Sequence, residues 1–344
     1  MKNLFAAVAA FALLASCASA PSSPPPEWAR DVQRVYPRSE YVTGRGEGAS
    51  RQEAENKALA EIAFYFVREI TASQSTRTAY TTRDGATSED RRTEEHVLVE
   101  SQTRLVAVRY AEDPWYNRTK KAWETVAYIN RDEGWTVYEP AAKKQADAFL
   151  QLVQSAEAET EASESFNAVL RYGNAEAYAE SAEFNTVRNF AQALHPVNAA
   201  ALFGETDAAL AGLPQKQLAA REKATVYIDC PVDHDKMIYQ AMVRALGASG
   251  FAVETNRSRA QTVCAIRVEE GAQQQSSGVM YYPALSADFS GRKGALFSFR
   301  IQAERQGAVT PEVAKRRAYT ALAAALENGF EQELRRRQSA LVKD

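Results

Sequence analysis

YVTGRGEGASRQEAENKALAEIAFYFVREI, residues Tyr41 to Ile70, decides how the first part of this chain folds. Tyr41-Val42-Thr43 is a short β-prone run, and Gly44, Gly46 and Gly48 follow at alternate positions. Glycine there permits backbone angles, or a close chain approach, that a Cβ forbids. Ser50 is placed to open a helix. Its hydroxyl can accept from the N–H of Glu53, and the Glu53 carboxylate can reach back to the Ser50 N–H, which makes a capping box. Ala54, Ala58, Ile62, Phe66 and Ile70 then recur at every fourth position, with Leu59, Ala63 and Val67 alongside. That is the apolar stripe of an amphipathic helix. The stretch reads as a strand, a glycine loop and a capped helix whose alanines let it lie close against a sheet. A glycine loop ahead of a helix also suits phosphate. Here G-x-G-x-G followed by Ala49 misses the last glycine of G-x-G-x-x-G, and no Gly-Lys-Ser/Thr is present. The loop is read as a structural turn, and no cofactor is expected.

Ahead of this stretch, Lys2 precedes an apolar run from Leu4 to Ala15, too short for a stable span and typical of a signal-peptide core. It ends in Leu14-Ala15-Ser16-Cys17, which resembles the bacterial lipobox. The resemblance implies a signal peptide over residues 1–16 and a diacylated Cys17 as the first residue of the mature chain. The competing reading is an ordinary secretory peptide cut after Ala18 or Ala20. Several acyl chains hold far better than one, so a lipidated Cys17 means attachment without a spanning helix. An aspartate after the cysteine would resemble an inner-membrane retention signal. Ala18 stands there instead, which by resemblance to enteric sorting rules favours the outer membrane. Residues 17–26, rich in Pro and Ser, are a tether.

With 344 residues, 45% hydrophobic and 25% charged, the chain is long enough for about two domains. Its formal charge of −3 argues against a nucleic-acid partner. Cys230 and Cys264 both fall on apolar phases of strand-like runs. A disulfide, permitted by export, and two buried thiols account for them equally well.

The expected architecture is α+β: two small mixed domains, each a sheet with a capped, alanine-striped helix, joined by a helical segment. The first covers residues 27–139. After the helix, Thr76 to Thr82 is β-prone, Asp84-Gly85 is a turn, and Val97, Val99, Leu105 and Ala107 share one strand phase. Trp123 to Ile129 is a further strand, and Asp113-Pro114-Trp115-Tyr116 is an aromatic loop before it. The Pro26-Glu27-Trp28 start, the aromatic strand into the glycines, the alanine-spaced helix and the closing Ile129-Asn130-Arg131 together resemble the LPP-twenty lipoprotein family. That family is related to the flagellar assembly lipoproteins P and T. The resemblance covers roughly Pro26 to Glu133, about a third of the mature chain. It implies a small α+β domain on an envelope lipoprotein, without known catalytic residues, whose members differ in what they assemble.

Residues 140–223 are rich in Ala, Glu and Gln and read as helices, with Gly173-Asn174 as a break and His195-Pro196 as an end. Glu157 to Glu164 reads as a solvated face. Residues 224–344 form the second domain: a strand over Thr225–Cys230, and a helix from Asp235 to Leu246 ended by Gly247. Strands at Phe251–Val253 and Thr262–Val268 follow, then a hairpin of Val279–Tyr282 with Leu296–Ala303 turning at Ser290-Gly291. Thr310-Pro311 opens the last helix, where Ala314, Ala318, Leu322, Leu326 and Phe330 repeat the steps of the first stripe. The strand-helix-strand-strand order weakly resembles the TolB amino-terminal domain.

Candidate chemistry is sparse. Asp229, Cys230, Asp233, His234 and Asp235 mix soft and hard ligands with no second histidine near, and helix capping explains the aspartates better than a metal. His96 and His195 lack obvious partners, so a Ser/His/Asp hydrolase has little to build from. Trp28, Trp115 and Tyr116 either cap a small core or form a contact surface for a partner. The expectation is a non-enzymatic, lipid-anchored envelope scaffold or assembly factor that binds protein partners. The alternative is a binding module for cell-wall glycan or lipid, which requires those three aromatics to be exposed together.

Overall fold

The computed structural model describes residues 24–78, 105, 107–276 and 278–340. Cys17 and the lipobox lie outside them, as do His96, Asp84-Gly85, Val97 and Val99. The fold is α+β, and the chain divides into two compact units between Val137 and Tyr138.

The first unit opens with two short helices, α1 (Glu27–Arg30) and α2 (Val32–Val35), the second capped by the Asp31 carboxylate. Strand β1 (Tyr41–Gly48) leads to helix α3 (Arg51–Thr78). Strands β2 (Arg109–Tyr110), β3 (Trp115–Asn117) and β4 (Ala122–Asn130) complete an antiparallel sheet in which β4 pairs with each of the other three. The glycines are not a loop. They sit inside β1, in register with Ala127, Thr125 and Trp123 of β4, and alternate glycines are buried while Arg45 and Glu47 point to solvent. A Cβ on Gly44 would stand 2.2 Å from the Ala58 carbonyl oxygen, and one on Gly46 would stand 1.8 Å from that of Ala54. Close approach, and not unusual backbone angles, is why glycine is there. The helix lies directly on the strand, backbone against backbone, with Ala54, Ala58, Ile62, Phe66 and Ile70 all buried.

The cap of α3 also differs in detail. Glu53 N–H donates to Ser50 Oγ at 3.2 Å, but the Glu53 carboxylate accepts from Ala49 N–H at 2.8 Å, one residue earlier than expected. The β-prone run at Thr76 begins inside the helix, because α3 continues to Thr78. Ala107 lies in a bend and not in a strand. The aromatic segment Trp115-Tyr116 is strand β3, not loop, and forms a hairpin with β4.

Helix α4 (Arg131–Glu161) starts where β4 ends, with Asn130 Oδ1 accepting from Glu133 N–H at 3.0 Å. Pro140 therefore lies inside a helix and does not begin one, at the cost of one backbone hydrogen bond. The break after α4 comes at Ser163, which takes the left-handed conformation (φ 60).

Helices α5 (Ser165–Glu180), α6 (Ala182–Leu194) and α7 (Pro196–Lys223) follow in the second unit. Helix α5 runs straight through Gly173-Asn174. A Cβ on Gly173 would fall 2.1 Å from the Gln338 side chain, whose amide donates to the Val169 carbonyl at 3.2 Å. That glycine is a docking notch for the end of the last helix. The acidic run before α5 is only partly wet, since Glu164 is buried.

Strand β5 (Thr225–Asp229), helix α8 (Met237–Ala248), β6 (Ala252–Val253) and β7 (Thr262–Glu269) come next. Strands β8 (Gln273–Gln275), β9 (Gly278–Tyr281), β10 (Ala284–Gly291), β11 (Gly294–Gln302) and β12 (Gln306–Ala308) precede helix α9 (Pro311–Ala340). A five-stranded sheet runs β11-β10-β7-β5-β6, parallel from β7 to β6 and antiparallel elsewhere, and a three-stranded sheet runs β12-β9-β8. The hairpin partner of β11 is thus β10. Ser290 and Gly291 belong to that strand, while β9 pairs in the other sheet. Helix α8 runs past Gly247, and the left-handed residue that follows it is Gly250 (φ +80).

The core of this unit is aromatic. Phe166 of α5 stacks on Phe251 and Phe289 at 4.9 and 5.1 Å, and Phe330 of α9 meets Phe289 and Phe299, each at 6.0 Å. Helices read from the sequence as a joining segment thereby share a core with the C-terminal sheet. The α9 stripe is buried from Ala314 to Leu334, its alanines against Val279 and Tyr281 of β9.

Candidate binding groove

Hairpin β3–β4 places aromatic side chains on both faces of the first sheet. Register pairs Trp115 with Glu124 and Tyr116 with Trp123. Trp115, in step with Glu124 and Val126, packs from the face opposite α3 against the cluster of Trp28, Ala111 and Val126, and is half-buried. Tyr116 and Trp123 lie on the α3 side, their rings 5.4 Å apart. The Arg51 guanidinium, from the first turn of α3, sits 4.4 Å from the centre of the Trp123 ring. Around them is a groove of about 740 Å³, walled by Pro24, Pro25 and Pro26 on one side and by Asp113, Pro114 and the 115–119 hairpin elsewhere.

The three aromatics singled out in the sequence separate here. Trp28 is 6% exposed and is a core residue, filled in beneath α1 and α2. Tyr116 is 41% exposed. The surface expected of all three therefore loses Trp28, because a tryptophan at the start of a small domain finds more apolar area to cover than to present. Trp123 and Arg51 take its place. The missed signal was the hairpin: Asn117 Oδ1 accepts from Thr119 and Lys120 N–H at 3.1 and 3.2 Å, an Asx turn, and Lys121 is left-handed (φ 53). Reading that turn pairs Tyr116 with Trp123.

Beside the groove is a buried carboxylate. Glu124, 1% exposed at its side chain, accepts from Arg45, from Asn117 Nδ2 at 2.8 Å and from Lys120 at 3.2 Å. Burial alone would raise its pKa, but hydrogen bonds from Arg45, Asn117 and Lys120 hold it below the usual carboxylate range. Lys120, also bonded to Glu47, is held above its ordinary value. The cluster is saturated by its own members and fixes the hairpin to β1.

In the Asp229–Asp235 segment only Asp233 serves the helix start, from three residues before Lys236, which stands at the N-cap without a side-chain bond. Asp233 accepts from Ile238 and Tyr239 N–H at 3.0 and 2.8 Å at the start of α8. Among the described residues no group of three or more His, Cys, Asp or Glu is arranged to hold a metal ion. Cys230 and Cys264 are free thiols. Burial, with Asp233 and Asp229 nearby, pushes the Cys230 thiol up to about 12, and burial raises Cys264 well above its ordinary value. His195 caps α7, its Nδ1 accepting from Asn198 N–H at 3.3 Å. No described helix is long and apolar enough to cross a membrane.

No family model matches this sequence, and no curated protein matches it. Among solved structures, the chain is similar to a minor lipoprotein from Acinetobacter baumannii, at 14% identity over 34% of this chain and 94% of that one, with a TM-score of 0.23. It is also similar to a secreted protein from Helicobacter pylori, at 10% identity over 89% of this chain and 97% of that one, with a TM-score of 0.26. Likeness at that level carries no argument about fold or function.

Proposed function

We propose that this chain is a lipid-anchored cell-envelope protein of the LPP-twenty kind, a non-catalytic scaffold or assembly factor that holds protein partners at the outer membrane. The observation that supports it most is the glycine lock of the first unit. The residues that carry the family resemblance, Gly44, Gly46, Gly48, Ala54 and Ala58, are the ones that let β1 and α3 touch. They follow the lipobox-like Leu14-Ala15-Ser16-Cys17 and a Pro/Ser tether. Flagellar assembly components are one class of partner on this reading, other envelope assemblies another.

The test is cross-linking in cells followed by capture from membranes, comparing wild type with Cys17→Ala. Capture of envelope or flagellar components by the wild type alone supports the reading. Saturable turnover of any substrate would overturn its non-catalytic part. The glycan-binding alternative required Trp28, Trp115 and Tyr116 to be exposed together, and the burial of Trp28 counts against it; sedimentation with purified cell-wall sacculi checks what the Tyr116 groove retains of it.

A further inference from the structure

We infer that the groove face of the first unit, centred on Tyr116, Trp123 and Arg51, rests against the phospholipid surface of the membrane that holds Cys17. The inference rests on the anchored reading above and names what that face touches. Its first support is covalent reach. Seven residue steps separate Cys17 from Pro24, and an extended chain covers at most about 3.6 Å per residue, so the groove wall lies within about 25 Å of the acylated residue. The wall of Pro24, Pro25 and Pro26 therefore stays within about 25 Å of the acylated residue, which leaves the groove within reach of the headgroups.

The second support is chemistry. Tyrosine and tryptophan offer an apolar ring with a polar edge, the combination that settles at headgroup level. Among the described residues of this unit Tyr116 is, with Phe64 and Val137, one of the exposed large hydrophobic side chains, and Trp123 and Trp115 line the groove beside it at half-burial. Arg51 is exposed and has no carboxylate partner among the described residues. Its guanidinium carbon lies over the Trp123 ring, and no hydrogen bond or ion pair among the described residues takes up its N–H donors, which suits them to phosphate oxygens. Arg118 lines the same groove, and among the described residues that line it Asp113 is the one carboxylate. A neutral glycan would use the rings but pair with neither Arg51 nor Arg118, whereas an anionic headgroup uses both ring and cation, which makes it the better match.

The test uses the mature full-length chain made without acylation (Cys17→Ser), mixed with vesicles of phosphatidylethanolamine and phosphatidylglycerol, or of phosphatidylcholine alone, and assayed by co-sedimentation. This chain, otherwise unsubstituted, should partition onto the anionic vesicles. Arg51→Gln should lower that partition about fivefold, the effect of one surface cation near an anionic leaflet. Tyr116→Ser should lower it on both vesicle types. Both residues are exposed, so unchanged circular dichroism melting separates a contact effect from misfolding. Partition indifferent to both substitutions would overturn the inference, as would Tyr116-dependent binding to sacculi with no binding to vesicles. Palmitate labelling in cells reads the anchor separately: unlabelled Cys17 overturns the anchored reading, whereas a labelled chain with no vesicle affinity overturns only the lipid-facing groove.

Discussion

Glycine at single positions carries opposite meanings in this chain, and substitution separates them. Gly46→Ala drives a Cβ into the Ala54 carbonyl, a backbone contact with no flexible end to give way. We expect a loss of about 3 kcal/mol, the upper range of overpacking costs, in urea unfolding followed by circular dichroism. Gly204→Ala, in the interior of α7 with nothing within 4 Å of its Cβ, should instead stabilise by about 1 kcal/mol. Glu124 gives a pH-dependent case. Glu124→Gln removes the charge that Arg45, Asn117 and Lys120 hold, at a cost of about 2 kcal/mol at neutral pH. The folded carboxyl titrates below its ordinary value of 4.5, so its stabilisation is full above that value and is lost as pH falls through the folded pKa. The gap between wild type and variant should therefore narrow in melts run in increasingly acid buffer.

At the scale of elements, the two alanine-striped helices share a spacing but not a setting. Helix α3 lies on a glycine strand of an antiparallel sheet, whereas α9 meets β9 with its alanines and an aromatic core with its far end. Phe330→Ala opens a hole among Phe251, Phe289 and Phe299 and should cost about 3–5 kcal/mol, read by calorimetry of the full chain. Asp233→Ala removes the acceptor for two N–H groups of α8 and should cost about 1 kcal/mol. The stripes and caps were legible because helical period and N-cap chemistry are local. Strand pairing was not. Val279–Tyr282 and Leu296–Ala303 are both strands, but which strand each one joins depends on contacts far along the chain, and β10 between them took the place assigned to a turn.

For the whole molecule, the proposed anchor and the state of the two thiols, Cys264 buried and Cys230 partly so, are open to direct test. Cys17→Ala should abolish palmitate incorporation and move the protein from the membrane to the soluble envelope fraction. Cys230 and Cys264, unpaired and with raised pKa values, should resist alkylation near neutral pH in the native protein and react fully once it is unfolded. Protection that vanished under reducing conditions would instead mean a disulfide.

The α+β class, the capped helices and their buried stripes were readable from the residues alone, because period, cap and turn chemistry act over a few residues. The residue pattern marked Gly44, Gly46 and Gly48 as positions that forbid a Cβ, left unusual backbone angles and close approach both open, and read as a turn. What those glycines touch, that Gly173 receives Gln338 without breaking a helix, and that Trp28 is core while Tyr116 faces a groove came from the folded chain. Those outcomes depend on which distant surfaces meet. A residue's own neighbours in the chain do not specify that, since burial is a property of the pair and not of the side chain.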